Sequence, residues 1–304
     1  MSCPRLIPLL LHKHGRLVLS RQFQTHHDIG DPVQIADRYK GWDLDELIYL
    51  DISTHWPCVG RMSPGFAGFL DAIRQVGRNC FVPLTVGGGI TGLDQINALL
   101  HAGADRFVLN SQALADPSLL SRAADHFGAQ AVVLAVDARR MPDGGYQVFA
   151  DGGRRPTGRT VEEWCHSAEQ LGAGEILVNS IDRDGSGEGF DLHLVRRAAG
   201  AVRIPVVACG GAGDPADLAA PIKDGGASGV AAANLFAFRE LSYHAGKQAL
   251  LAAGVDVREG LVSRDYALAR RQRASTASRL GAEAEDIWME LERSGWSDVK
   301  GPVP

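Results

Sequence analysis

The chain alternates between short, continuously apolar runs and longer stretches in which apolar side chains recur every three or four residues. The runs fall at Leu6–Leu11, Leu47–Ile52, Phe81–Val86, Arg106–Asn110, Ala131–Val136, Glu175–Ser180, Pro205–Cys209 and Gly229–Ala233. A strand with one wet face alternates polar and apolar positions, so a run without alternation fits a parallel strand covered on both sides. The stretches between them, such as TGLDQINALLHAGA (Thr91–Ala104) and TVEEWCHSAEQLGAG (Thr160–Gly174), have helical spacing, and the second opens with a Thr160–Glu163 capping box. Eight strands, each followed by a helix, predict an α/β fold: a closed (β/α)8 TIM barrel with right-handed crossovers.

The pattern also repeats. TVGGGI (Thr85–Ile90) returns as ACGGAG (Ala208–Gly213), ELIYLDIS (Glu46–Ser53) as EILVNSID (Glu175–Asp182), and FVLNSQAL (Phe107–Leu114) as VAAANLFA (Val230–Ala237). Gly87 and Gly210 stand 123 positions apart, and Ile48 and Ile176 stand 128 apart. A near-constant offset in both glycines and apolar runs predicts an internal half-barrel repeat. It also pairs Leu11, at the end of the first strand, with Asp137, at the end of the fifth. Of these two symmetry mates, only one carries an acid.

Length and composition narrow the reading. The 304 residues suit one barrel of roughly 250 residues plus an extension. The barrel is expected over 1–258, and the charged, helix-prone remainder over 259–304 as a helical or partly disordered extension. A net charge of −5, with no basic stripe interleaved with aromatics, argues against nucleic acid as a partner. The five cysteines are far apart and form no CxxC pair, which disfavours a disulfide framework or structural zinc and suits a reducing compartment. Leu6–Leu11 is too short for a signal segment, and nothing approaches the ~20 apolar residues of a membrane span. A cytoplasmic protein without membrane association is expected.

Candidate chemistry lies at strand ends. Gly87–Gly89 and Gly210–Gly211 follow the third and seventh strands, where glycine lets successive backbone N–H groups approach an anion. A phosphate site after strands seven and eight is usual for such barrels, and the repeat predicts a second around Gly88, Gly89, Asn110 and Ser111. The segment NSIDRDGSGEG (Asn179–Gly189) places Asp182, Asp184, Gly185 and Ser186 in a polar loop on the same side. It resembles a calcium loop only loosely, lacking the bidentate Glu, so no metal is expected. At the opposite strand ends stand Arg5, Glu46, Arg106 and Glu175. They are either surface charges or an inward ring of alternating sign.

The ordered series RLIPLLL, DELIYLDIS, PLTVGGGI, GADRFVLNSQAL, GAQAVVLAVDARR, LGAGEILVNSIDRDGSGEGFDLHLVRR and IPVVACGGAG resembles the cyclase subunit of imidazole glycerol phosphate synthase over roughly Arg5–Val257. The resemblance implies a barrel that takes ammonia from a separate, HisH-like glutaminase docked at its N-terminal face. Ammonia would pass through the barrel to a bisphosphate substrate at the C-terminal face. It places substrate phosphates on Gly89, Asn110 and Ser111 at one end. At the other end it places them on Asp184, Gly185, Gly211, Ala233 and Asn234, beside Gly210 and Asp182, with asparagine at 234 where serine is common. It makes Arg5, Glu46, Arg106 and Glu175 an ammonia gate, Asp105 a glutaminase contact and Asp137 a catalytic acid–base group. No cofactor is implied.

The family's other catalytic aspartate falls on Leu11, which cannot carry a proton. His12, Lys13 and His14 are the candidates to stand in for it; period-2 alternation sends His12 to the other face of the strand, and His14, on a mobile loop, could reach back. The first strand also resembles a divergent branch of the family. That branch works with a glutaminase-like partner and a separate sugar amidotransferase to supply ammonia for amidation in surface-polysaccharide synthesis. Leu11 points toward it. The alternatives are a genuine cyclase of histidine biosynthesis and a non-catalytic scaffold that activates a glutaminase.

Overall fold

The computed structural model describes residues 3–39, 42–53, 64–79, 82–237 and 242–258. The extension expected over 259–304 lies outside the described residues. The strands are β1 (Arg5–Lys13), β2 (Arg16–Arg21), β3 (Thr25–Gly30), β4 (Leu47–Asp51), β5 (Leu84–Gly87), β6 (Arg106–Leu109), β7 (Val132–Arg140), β8 (Tyr146–Ala150), β9 (Arg155–Thr160), β10 (Glu175–Ser180), β11 (Val206–Cys209) and β12 (Gly229–Ala232). Eight of them pair in parallel in the order β1, β4, β5, β6, β7, β10, β11, β12, and β12 returns to β1, so the sheet closes as a (β/α)8 barrel. At least one helix follows each of the eight. The Thr160–Glu163 capping box forms as expected at the start of helix Val161–Gln170.

Both faces of each barrel strand are dry, which explains the unbroken apolar runs. On β1, Ile7, Leu9 and Leu11 point into the lumen with Ile48, Val108, Val133, Ala135, Leu177, Val207 and Ala231. Leu6 and Leu10 face outward and pack with the helix layer. On β7, the inward series Val133, Ala135 continues to Asp137. Leu11 and Asp137 therefore occupy equivalent inward positions on strands four places apart in a ring of eight, on opposite walls.

The structure corrects two expectations. The third barrel strand begins at Leu84 and ends at Gly87, rather than running Phe81–Val86. The segment after the first strand is no mobile loop: β1 continues two residues past Leu11 and turns through His14 (φ 50°) and Gly15 (φ 85°) into the antiparallel β2 and β3. Two successive positive φ angles are what a two-residue hairpin turn requires. The strand β2 holds through buried Leu17, Val18 and Leu19.

The fifth barrel strand, β7, continues in the same way into β8 and β9. The half-barrel repeat therefore extends to the appended hairpins. Both tips use left-handed backbone, at Gln22 and Phe23 in one and at Asp151, Gly152 and Gly153 in the other.

Candidate functional site

At the amino ends of the barrel strands, the four predicted charges do turn inward and close a ring. Arg5 donates to Glu46 at 2.5 Å and to Glu175 at 2.8 Å, while Arg106 donates to Glu175 at 2.9 Å and meets Glu46 at 3.5 Å. Thr85 Oγ1 adds a hydrogen bond to Glu46 at 2.6 Å. The two carboxylates are buried and the two guanidinium groups are partly open. Burial works against the charge of Arg5, but Glu175 and Glu46 outweigh it and raise its pKa. Asp105, exposed at the start of β6, accepts from the Leu84 amide at 2.8 Å on this same side.

At the carboxyl ends opens a cavity of about 1070 Å³. Its lining includes Gly88, Gly89, Asn110, Ser111, Asp137, Asp184, Gly185, Gly210, Gly211, Ala233 and Asn234, so both glycine clusters share one site. Glycine is required at the tightest points. Gly88 has φ 121° and a Cβ there would lie 2.3 Å from the Asp51 carbonyl oxygen, while Gly211 has φ 114° and its Cβ would lie 2.2 Å from that of Gly189.

Asp182 is the exception among the predicted residues. Its carboxylate accepts from the Arg140 amide at 2.8 Å and sits 3.4 Å from Arg139 Nε, so it pins the end of β7 and does not line the cavity. Ser111 Oγ accepts from the Asp151 amide at 2.8 Å and ties its helix to the second hairpin.

Asp137 lies on the cavity wall, where Asn110 Nδ2 donates to it at 2.7 Å. Burial pushes its carboxyl up to about 7; the Asn110 hydrogen bond opposes this and the charge of Asp184 adds to it. Beside it, Asn110 Oδ1 and Asn179 Oδ1 are buried without hydrogen-bond partners. Unsatisfied buried oxygens lining a cavity are positions a polar ligand with donor groups can fill.

Across the lumen, Leu11 presents hydrocarbon. His12 faces outward as alternation predicted, with Nδ1 3.1 Å from Asp51 Oδ2 and its ring against Tyr49 and Phe69. His14 does not reach back: it is exposed, its amide donates to Ser53 Oγ at 2.9 Å, and it is absent from the cavity lining.

The cavity also contains Lys13, a candidate from the sequence, and groups that the sequence reading missed. Lys13 and His26 line it and meet at 3.1 Å, Nζ to Nδ1. Arg154 and Arg155 line it from the second hairpin, and Phe23 from the first. Lys13 was legible, as a candidate to replace the acid missing at Leu11 and as the next inward position after it. His26 was not, because THHDIG shows neither apolar alternation nor a motif.

The first hairpin is held over the cavity by Asp184. Its carboxylate accepts from Ser20 Oγ at 2.5 Å and from the Phe23 amide at 3.2 Å, and its carbonyl accepts from the Gln22 amide at 2.9 Å. Burial raises the pKa of Asp184 while the two bonds to its carboxylate oppose the rise. Among the described residues, no group of three or more His, Cys, Asp or Glu could hold a metal ion, and no helix is long and apolar enough to cross a membrane.

Fold and site together define a two-half (β/α)8 barrel with an ion-paired floor, an apolar lumen and an acid-bearing polar cavity at the carboxyl ends of its strands. Residues 5–242 match the family described as Histidine biosynthesis protein, and the chain belongs to that family. Over 260 residues it is 44% identical to imidazole glycerol phosphate synthase subunit HisF of Corynebacterium diphtheriae and, again at 44%, to that of Mycobacteroides abscessus. Each match covers 84% of this chain and 98% of the relative.

Proposed function

We propose that this chain is the ammonia-using synthase subunit of a glutamine-dependent complex of the imidazole glycerol phosphate synthase type. The observation that carries the reading is the coaxial arrangement of a closed charge ring below, a hydrocarbon lumen above it, and the Asp137 cavity on top. A ring in which every carboxylate is paired gives neutral ammonia a passage that opens by rearranging hydrogen bonds, and the apolar lumen disfavours water and ions. In this reading Arg5, Glu46, Arg106 and Glu175 form the gate. A separate glutaminase docks on the face that carries Asp105. Gly88, Gly89, Asn110 and Ser111 hold one phosphate of the substrate, and Asp184, Gly185, Gly210, Gly211, Ala233 and Asn234 hold the other. Asp137, with a pKa near 7, is the proton-transfer group.

The relatives' names favour the histidine-pathway bisphosphate as the acceptor. One observation favours a second reading. Leu11 stands in the lumen opposite Asp137, where the family places an acid, and this fits the branch that delivers ammonia for surface-polysaccharide amidation with a separate sugar amidotransferase. The purified chain, supplied with an ammonium salt and the bisphosphate intermediate of histidine synthesis, is expected to consume it. No consumption moves the acceptor to the second reading.

A further inference from the structure

We propose that Lys13 is the second proton-transfer group of the cavity, taking the role closed to Leu11, and that His26 positions it. The inference rests on the synthase reading and names a residue which that reading leaves unfilled. Inward positions on β1 recur every second residue, so Ile7, Leu9 and Leu11 are followed by Lys13, about 7 Å further along the strand and nearer the mouth. Nζ is fixed at 3.1 Å from Nδ1 of His26, which the first hairpin carries over the cavity, and both residues line the same space as Asp137. β1 and β7 are opposite walls of the ring, so a substrate lying across the mouth has an acid on one side and an ammonium on the other.

The division of labour follows from charge. Burial, then the positive charge of Lys13, then His27, hold the His26 pKa below its ordinary value. This favours a neutral imidazole, whose Nδ1 accepts from Lys13 Nζ. When the substrate nitrogen attacks carbon, its surplus proton goes to the Asp137 carboxylate. The electron pair of the breaking carbon–oxygen bond leaves with the oxygen, which takes a proton from Lys13 Nζ. Asp137 is then protonated and Lys13 is a neutral amine; exchange with water through the mouth restores both. Opposed groups with separate acid and base tasks are the usual solution for such chemistry near pH 7.

The test is ammonium-driven consumption of the histidine-pathway bisphosphate by the full chain. Lys13→Met is expected to lower kcat by about 100-fold or more with KM changed only a few-fold. Lys13→Arg keeps the charge but cannot release a proton, and is expected to be as slow. His26→Ala should lower kcat less, and His26→Gln, which retains an acceptor, should recover part of the loss. Wild-type turnover with Lys13→Met or Lys13→Arg within about threefold of it overturns the assignment and leaves the synthase reading standing. Absence of turnover in the wild type overturns the Lys13 assignment and moves the acceptor to the second reading.

Discussion

Asp137 owes its character to what surrounds it. A carboxyl lifted to about 7 from the ordinary 3.8 holds a proton in the folded chain over a range where the unfolded chain has lost it. Its contribution to stability is therefore fully present below the unfolded value, falls as the pH rises from there through about 7, and is gone above it. Asp137→Asn keeps an acceptor for Asn110 and removes this dependence. The variant is expected to melt above the wild type near pH 8, with a flatter melting profile between about pH 4 and pH 8, while turnover falls by at least about 100-fold. Melting curves across that range together with a turnover assay check both halves.

At this scale the repeat made Asp137 and the glycine clusters legible, because symmetry places them without knowledge of contacts. Asp182 shows the limit: its residue type and loop were read correctly, but its orientation toward Arg139 and Arg140 depends on the hairpin that follows β7.

Among the elements, the barrel strands could be read because parallel strands dry on both faces leave long apolar runs. The hairpins could not. β3 and β9 are polar and edge-lying, and neither carries the periodicity that marks a strand. The two tips nonetheless come close: a Cβ on Gly153 would lie 3.1 Å from the Phe23 ring. Left-handed backbone at Gln22 and Phe23 is costly for side-chain-bearing residues and persists where surrounding bonds fix it. Here those bonds go to Asp184. Ser20→Ala removes one hydrogen bond to that carboxylate, worth about 1.5–3 kcal/mol for a charged acceptor. Amide exchange at Gln22 and Phe23 should accelerate by about tenfold or more, with exchange in the barrel strands unchanged. Hydrogen-exchange mass spectrometry resolves the two regions.

For the whole molecule, the decisive feature is the ring at the amino ends. Its residues were visible in the sequence as charges beginning apolar strands. Their inward direction was not, since a strand's first residue can face either way. Removing one partner of a buried ion pair leaves the other charge stranded, at a cost of about 3–5 kcal/mol. Arg5→Ala is expected to lower the melting temperature and, if the ring is the ammonia gate, to let the glutaminase partner hydrolyse glutamine without matching product while ammonium-driven turnover persists. A lowered melting temperature with coupling intact would assign the ring to stability alone.

Arg5 belongs to the strand that seals the barrel against β12. Without Arg5, Glu46 and Glu175 would share a single cation, Arg106, and the floor would carry surplus negative charge. Arg5 cancels it. Closure of the barrel and neutrality of its floor therefore rest on the same strand.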